Sequence, residues 1–181
     1  ALEITQRLEK EGVERICVHG RTLRQRYSGE ADWSQIKEIV DSVEIPVIAN
    51  GDIIDASTAS ACLEETGAGG LMIGRGAIGR PMIFHEIKKD LGWPVETPPW
   101  GEGNIAESRL WCWDRYLELS SELYIESNNK NLKRHAVSFT KGLPGASKMR
   151  VELHSMPTKE KMGLKVKQYL EELTELDVFP I

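Results

Sequence analysis

The stretch IPVIANGDIIDASTASACLEETGAGGLMIGRG, residues 45–76, has the pattern of one strand, helix and strand. Short runs rich in branched apolar residues open and close it, and apolar residues at helical spacing lie between them. Asp55 or Ser57 is placed to cap the start of the helix, and Gly67 is placed to end it. A unit of this kind predicts two parallel strands in one sheet.

The same alternation extends outward from this unit in both directions. A helical pattern covers residues 1–11, an apolar strand pattern covers 15–20, and further helical patterns cover 32–43 and 81–91. The strands begin near residues 15, 45 and 70, so eight such units would need about 200 to 250 residues, the size of a (β/α)8 barrel. We therefore predict an α/β fold class in which residues 1–92 form the C-terminal three βα units of a TIM barrel.

A different organisation begins after residue 92. The segment WPVETPPWGEG, residues 93–103, holds three prolines and two glycines, which neither a helix nor a central strand accommodates. Beyond this linker the pattern indicates helices near 104–127, 129–141, 145–153 and 158–176. We predict that residues 104–181 form a second, all-α domain.

Composition limits the class of protein. The chain has 181 residues, of which 40% are hydrophobic and 28% charged, and no apolar run approaches the ~20 residues of a membrane span. Cys17, Cys62 and Cys112 are dispersed, without the close pairs of a zinc site or a redox dithiol. We therefore expect a cytoplasmic protein with no membrane contact, no disulfide and no metal. Because the chain opens inside a helical pattern without Met, we also expect it to be part of a longer protein.

The net charge of −5 is unevenly distributed. Residues 130–167 carry ten Lys and Arg against two Glu, a charge of +8 that leaves −13 for the remaining residues. Such a separation of positive and negative charge along the chain indicates a surface that faces a polyanion, although a solvated helical face would have the same composition.

Two glycine-bearing turns follow neighbouring strands. Gly74, Gly76 and Gly79 in GRGAIG match the dinucleotide-binding pattern, but the acidic residue expected about 20 positions later falls in the proline-rich linker, as Glu96. Asn50, Gly51 and Asp52 end the preceding strand. In the last strands of a barrel these two turns form a corner that commonly holds a phosphate group, so we favour an anion site over an unliganded glycine turn.

The first strand and its loop supply further candidates. His19 stands at the carboxyl end of RICVHG, where barrel enzymes keep functional groups, whereas we expect Cys17 to be a buried, unreactive thiol. The following loop combines arginines suited to phosphate contacts with Tyr27 and Trp33, a combination that fits RNA binding. Those arginines are Arg21, Arg24 and Arg26. A loop merely pinned to its barrel by Trp33 would have the same pattern.

The runs VHGRTLRQRYSGEADW, IPVIANGDI, LMIGRGAIGRPMIF and KRHAVSFTKGLPGASKMR, in this order, resemble the tRNA-dihydrouridine synthase family, closest to its bacterial and archaeal members. The resemblance covers essentially the whole chain. It implies an FMN-dependent barrel with an appended helical tRNA-binding domain, expected to be monomeric as the full-length protein. NADPH reduces the flavin, which then delivers hydride to the C5–C6 double bond of a tRNA uridine.

The resemblance also implies roles for individual residues. It assigns FMN contacts to His19, Asn50, Gly51, Asp52, Gly74 and Arg75. It assigns tRNA contacts to Lys133, Arg134, His135 and Lys141 in the basic segment. The family's proton-donating cysteine belongs to an NxGCP motif that these residues do not contain, so we expect no catalytic residue here and no activity from the chain alone.

Two alternatives remain open. A non-catalytic RNA-binding module would use the basic tail and need no cofactor. Another phosphate-binding barrel enzyme, such as a sugar-phosphate isomerase, would explain IPVIANG and GRG but not the tail.

Overall fold

A computed structural model describes residues 1–26, 28–122 and 129–176 of the protein. Tyr27 and the predicted helical residues 123–128 lie outside the described residues, as do the side chains of residues 129 and 130. The helices and strands of the described residues are α1 (Leu2–Lys10), β1 (Ile16–His19), α2 (Trp33–Val40), β2 (Val47–Asn50), α3 (Ala56–Thr66), β3 (Gly70–Met72), α4 (Ile83–Asp90), α5 (Ile105–Glu122), α6 (Asn129–Thr140), α7 (Ala146–Ser155) and α8 (Lys159–Glu175). The alternation predicted for residues 1–91 and the helices predicted beyond residue 104 are confirmed within this part of the chain.

The three strands form one parallel sheet in the order β1, β2, β3. Ile16 pairs with Val47, and one row at the carboxyl edge joins His19 to Asn50 and Asn50 to Met72. The predicted parallel pairing is therefore confirmed, and the chain has a mixed α/β fold with a small sheet and many helices.

The sheet has one covered and one open face among the described residues. Helices α2 and α3 pack against the covered face, which buries Ile16, Val47 and Ala49. Each large apolar side chain removed from water in this way contributes roughly 1.5–3 kcal/mol. Cys17 and His19 point to the opposite face and are exposed, so the expectation of a buried Cys17 is wrong. Partial desolvation still raises the pKa of the Cys17 thiol, which therefore stays protonated near neutral pH.

Local capping explains where the sheet-flanking helices begin and end. The Asp32 carboxylate accepts from the Gln35 N–H at the start of α2. Asp55 forms a capping box with Thr58 at the start of α3, and Gly67 ends that helix at a left-handed φ of 67°. Asp55 and Gly67 therefore have the capping roles predicted from the sequence.

The chain divides into two compact units. The first comprises Ala1–Ala77 and Glu86–Pro94, and the second comprises Ile78–His85 and Val95–Ile181. The predicted cofactor-binding and RNA-binding domains remain predictions. In the described residues, no helix has both the length and the hydropathy needed to cross a membrane.

The second unit has its own core, built by α5, α6, α7 and α8. Trp113 of α5 is fully buried, and its ring stacks on Tyr116 and meets Phe139 edge to face. Arg109 of α5 is also buried, and its Nη1 donates to the carbonyls of Phe139 and Lys141 at 2.8 and 2.7 Å. Because the last carbonyls of a helix have no partner within it, Arg109 stabilises the C-terminal end of α6.

Candidate functional site

Side-chain hydrogen bonds tie the carboxyl ends of the three strands together. The Asn50 Nδ2 donates to the backbone carbonyl of Met72 at 2.6 Å. The His19 Nδ1 lies 3.2 Å from the Asn50 carbonyl. Since a carbonyl only accepts, this contact requires a proton on Nδ1 and fixes the orientation of the ring. His19 and Asn50 are thus brought together as predicted, at the exposed edge of the sheet.

The turn after β2 requires the residues that the sequence has there. Gly51 has φ of 134°, and a Cβ at this position would lie 2.5 Å from the Ala31 Cβ. Asp52 has φ of 56°, a left-handed conformation that aspartate tolerates better than most residues. The indole of Trp33 donates to the Gly51 carbonyl at 3.0 Å, so this tryptophan does pin the loop after β1 to the sheet.

Asp52 lies at the centre of a charged cluster. Its two carboxylate oxygens accept from the Arg21 Nη2 at 2.7 and 2.6 Å, and one of them also accepts from the Ala31 N–H at 2.7 Å. Arg75 lies farther away, with its Nη2 3.6 Å from the other oxygen. Desolvation opposes ionisation of Asp52, but the Arg21 and Ala31 hydrogen bonds and the two positive charges outweigh it and lower the pKa of the carboxyl.

The three loop arginines occupy different environments. The Arg21 side chain is only 4% exposed and donates to the Gly29 carbonyl as well as to Asp52. Arg24 and Arg26 are exposed, as expected for residues that meet RNA. An RNA contact of these arginines stays a prediction, and the burial of Arg21 favours a different role for that residue.

The first two glycines of GRGAIG are not equivalent. Within the described part of the chain, a Cβ on Gly74 would meet no atom within 4 Å, whereas a Cβ on Gly76 would lie 2.5 Å from the Ile53 carbonyl oxygen. Gly76 is therefore required for close packing of the turn against the loop after β2. Gly74 has open space beside it among the described residues, and the side chain of the following residue, Arg75, is 54% exposed.

The carboxyl edge of the sheet thus combines the oriented His19, the unfilled space beside Gly74 and the exposed Arg75. Comparisons with known proteins assign the family. The family model "Dihydrouridine synthase (Dus)" matches residues 1–175. The chain belongs to the dihydrouridine synthase family. The matched region includes all three strand ends.

Named relatives agree with this assignment. A probable tRNA-dihydrouridine synthase 1 of Synechocystis is 36% identical over 84% of this chain and 42% of its own length. A probable tRNA-dihydrouridine synthase of Rickettsia conorii is 39% identical over 82% of this chain and 44% of its own length. The tRNA-dihydrouridine synthase B of Yersinia pestis is 45% identical over 58% of this chain and 32% of its own length. The chain thus spans less than half the length of these curated relatives.

In this member of the family the predicted RNA-binding residues of the tail lie on and just after α6. Arg134 and Lys141 are exposed, while the Lys133 Nζ donates to the His154 carbonyl at 2.8 Å. The His135 ring stacks on Tyr116 at a centroid distance of 5.2 Å. Desolvation and the nearby Arg134 charge lower the pKa of His135, so its imidazole is neutral at physiological pH.

Part of the basic segment is neutralised by acidic partners. Lys165 pairs with Glu152 at 2.9 Å, and Lys167 pairs with Asp114 at 2.8 Å. Described residues contain no cluster of three or more His, Cys, Asp or Glu arranged to hold a metal ion.

One contributor to the site, Ala31, was not found from the sequence. The Ala31 N–H holds the Asp52 carboxylate, and Ala31 is also the side chain that Gly51 approaches most closely. Every residue except proline has a backbone N–H, so the identity of a residue does not reveal which N–H will serve as a donor. The only available signal was the small residue immediately before the helix cap Asp32.

The charged cluster predicts a specific dependence of stability on pH. Because folding lowers the Asp52 pKa, its stabilising effect is full above the unfolded value of about 3.9 and disappears as pH falls through the folded value. We expect Asp52→Asn to lower the denaturant midpoint at pH 7 and to match the unsubstituted protein more closely at pH 3. The exposed Asp41→Asn change, which removes an ion pair with Lys37, serves as control and should have little effect at either pH. An equal deficit of Asp52→Asn at both pH values would contradict the role of the charge.

Proposed function

We propose that this chain supplies the flavin-phosphate corner and the RNA-binding helices of a tRNA-dihydrouridine synthase. In this proposal, residues 1–92 are three βα units of a TIM barrel and residues 104–181 are the tRNA-binding domain. The reaction is the reduction of the C5–C6 double bond of a tRNA uridine, with FMN as cofactor and NADPH as reductant. Family membership and the names of the relatives support this assignment.

The space beside Gly74 is the observation that carries the cofactor proposal. A glycine at a strand end lets an anion approach the backbone, and at Gly74 no atom of the described residues lies within 4 Å of the position that a Cβ would take. The adjacent Arg75 is exposed and supplies the positive charge that a phosphate requires. The residues present therefore fit the phosphate of FMN.

The other strand ends have complementary tasks. FMN, when bound, supplies the hydride chemistry of the family. His19 is held by the Asn50 carbonyl in one orientation at the open sheet face, where it would contact the ring system. Asn50 fixes the distance between β2 and β3 through the Met72 carbonyl, and thereby the spacing of His19 from Gly74. We assign no catalytic residue within the described part of the chain.

The tail would recognise the phosphate backbone of tRNA. Exposed cations on and just after α6, and on α7 and α8, can replace counterions along RNA, which gives affinity that falls with salt. These cations are Arg134, Lys141, Lys148, Arg150 and Lys161. The net charge of +8 over residues 130–167 supports this role.

A glycine substitution tests the cofactor proposal. Gly74→Ala in the full-length protein freed of flavin should leave the melting temperature unchanged, because the new methyl group meets no atom of the described residues within 4 Å. It should lower FMN affinity by about tenfold or more, since a displaced phosphate loses at least one charge-assisted hydrogen bond. Flavin fluorescence titration measures the affinity, and the dihydrouridine content of modified tRNA measures the reaction.

Gly69→Ala is the matched control for this test. It lies just before β3, at the end away from the site, and its Cβ would lie at an ordinary 3.6 Å from Pro46. Unchanged FMN affinity in Gly74→Ala would contradict the phosphate corner. Salt-sensitive tRNA binding without flavin binding by the unsubstituted protein would favour the RNA-binding module instead.

A further inference from the structure

Residues 22–26, in the loop after β1, form a turn that is closed by its own side chains. The Gln25 Oε1 accepts from the Thr22 N–H at 2.8 Å and from the Thr22 hydroxyl at 3.0 Å, while the Gln25 N–H donates back to the Thr22 Oγ1 at 3.3 Å. The Arg26 N–H donates to the Thr22 carbonyl at 3.3 Å. This reciprocal pairing is that of a capping box on a single helical turn. Thr22 and Gln25 therefore set the conformation of the turn.

The turn begins at the edge of the sheet that carries the candidate site. Arg21, the residue before it, is 4% exposed and donates to the Asp52 carboxylate after β2. A further Arg21 contact, to the Gly29 carbonyl at 2.8 Å, holds the other end of the loop. The loop is thus fastened at both ends beside the carboxyl ends of β1 and β2, and residues 22–26 lie between the two attachments.

Arg24 and Arg26 are the two charges of this turn, and the fold uses neither guanidinium. Both residues are exposed, and among the described residues neither side chain has an ion pair or a hydrogen bond. Arg7, by contrast, pairs with Glu3 at 2.6 Å. Two unpaired guanidinium groups on an ordered turn are suited to phosphate groups, which accept two parallel hydrogen bonds from arginine.

The backbone of Arg26 also supports a role for its side chain. Its φ is 50°, in the left-handed region where glycine is favoured and an arginine is strained. Glycine would form the same turn without strain. An arginine therefore lowers stability at this position, and the hydrogen bonds of Thr22 and Gln25 hold it in a conformation that it would otherwise rarely adopt.

We propose that Gln25 is a positioning residue that acts through Thr22 to hold Arg24 and Arg26 in place for the phosphate groups of tRNA that flank the uridine to be reduced. This role rests on the proposed function, because a uridine that reaches a flavin at this edge brings its flanking phosphates to the same edge. It divides the three loop arginines, since Arg21 fastens the loop and the other two meet RNA.

Gln25→Ala in the full-length protein tests this role, with tRNA that carries unmodified uridines as the probe. We expect tRNA affinity to fall about three- to tenfold, because two long side chains must then be ordered on binding. The loss should lie in the dissociation rate, since both charges remain and continue to steer association. FMN affinity should change by less than about twofold, because the phosphate corner keeps its residues. Thr22→Ser, which keeps the hydroxyl, should bind tRNA as the unsubstituted protein does.

A double-mutant cycle separates positioning from a general loss of structure. Arg24→Gln with Arg26→Gln should lower tRNA affinity on the order of tenfold and reduce the slope of log affinity against log salt by about 1 to 2. In that background Gln25→Ala should change affinity by less than about twofold, since no charges remain for it to place. Gln35→Ala is the matched control, because it removes a glutamine contact with the α2 cap Asp32 and should alter neither tRNA nor FMN affinity.

Arg26→Gly gives an independent readout of opposite sign. It removes the strain at φ of 50°, so the melting temperature should stay equal or rise while tRNA affinity falls about threefold or more. Unchanged tRNA affinity in Arg26→Gly or Gln25→Ala, or an equal effect of Gln25→Ala with and without the two arginines, would overturn this inference alone, because flavin binding would persist. If the unsubstituted protein binds no flavin and forms no dihydrouridine, the proposed function fails, and this inference fails with it.

Discussion

Trp113→Ala is expected to lower the free energy of unfolding of the second unit by about 3–5 kcal/mol, the range for removing a large buried aromatic side chain. Trp113 is fully buried, with the rings of Phe139 and Tyr116 at centroid distances of 5.0 and 5.4 Å. Its indole N–H donates to the Gly163 carbonyl at 3.1 Å, so one side chain links α5, α6 and α8. The substitution therefore leaves a cavity and an unpaired buried carbonyl.

Denaturant unfolding followed by circular dichroism measures this loss. Trp111→Ala is the matched control, since that indole lies on the same helix but is 38% exposed, and we expect a loss of about 1 kcal/mol or less. Trp113→Phe should fall between the two, because it keeps part of the volume and loses the hydrogen bond. Similar midpoints for the two alanine variants would contradict the packing described for Trp113. Affinity for tRNA should fall with stability, because α6 carries the predicted RNA contacts and packs on Trp113 through Phe139.

The location of the candidate site followed from the sequence for a geometric reason. Carboxyl ends of parallel strands meet at one edge of a sheet, so a histidine at residue 19 and an asparagine at residue 50 become neighbours once the strands are recognised. The helix ends followed from local chemistry at Asp55 and Gly67, which needs no distant partner. Such helix ends depend on a few adjacent residues and can be predicted from a single sequence.

The environment of Arg21 was not predictable in the same way. Its partner Asp52 is 31 positions away. The positive φ values of Gly51 and Asp52 turn the chain after β2 so that the Asp52 carboxylate meets Arg21. In the sequence, Arg21, Arg24 and Arg26 are three similar loop arginines. The difference between the buried Arg21 and the two exposed arginines arises from tertiary contacts alone. Cys17 illustrates the same point, because its exposure depends on which sheet face the helices cover.

Gly79→Ala is expected to destabilise the second unit by about 2–4 kcal/mol. Gly79 has φ of 75°, which costs an alanine roughly 1–2 kcal/mol, and the added Cβ would overlap the Ser138 carbonyl group and the Phe139 nitrogen in the backbone of α6. A helix backbone cannot rotate away as a flexible side chain could. The third glycine of GRGAIG is therefore needed for packing on α6, whereas Gly74 is open to a ligand.

Gly142→Ala separates the two contributions. Gly142 has a similar φ of 79° and lies in the same unit, but its Cβ would meet no atom of the described residues within 4 Å. Its loss should therefore reflect backbone strain alone, and the excess loss in Gly79→Ala, measured by denaturant unfolding, reports the overlap with α6. Equal losses would show that the close approach to Ser138 carries no energy. Gly74→Ala, by contrast, should lower FMN affinity at unchanged stability. Comparing Gly74→Ala with Gly79→Ala therefore separates ligand binding from packing within one short motif. A match to a glycine pattern therefore indicates a sharp turn first, and a bound phosphate only where the space beside the glycine is open.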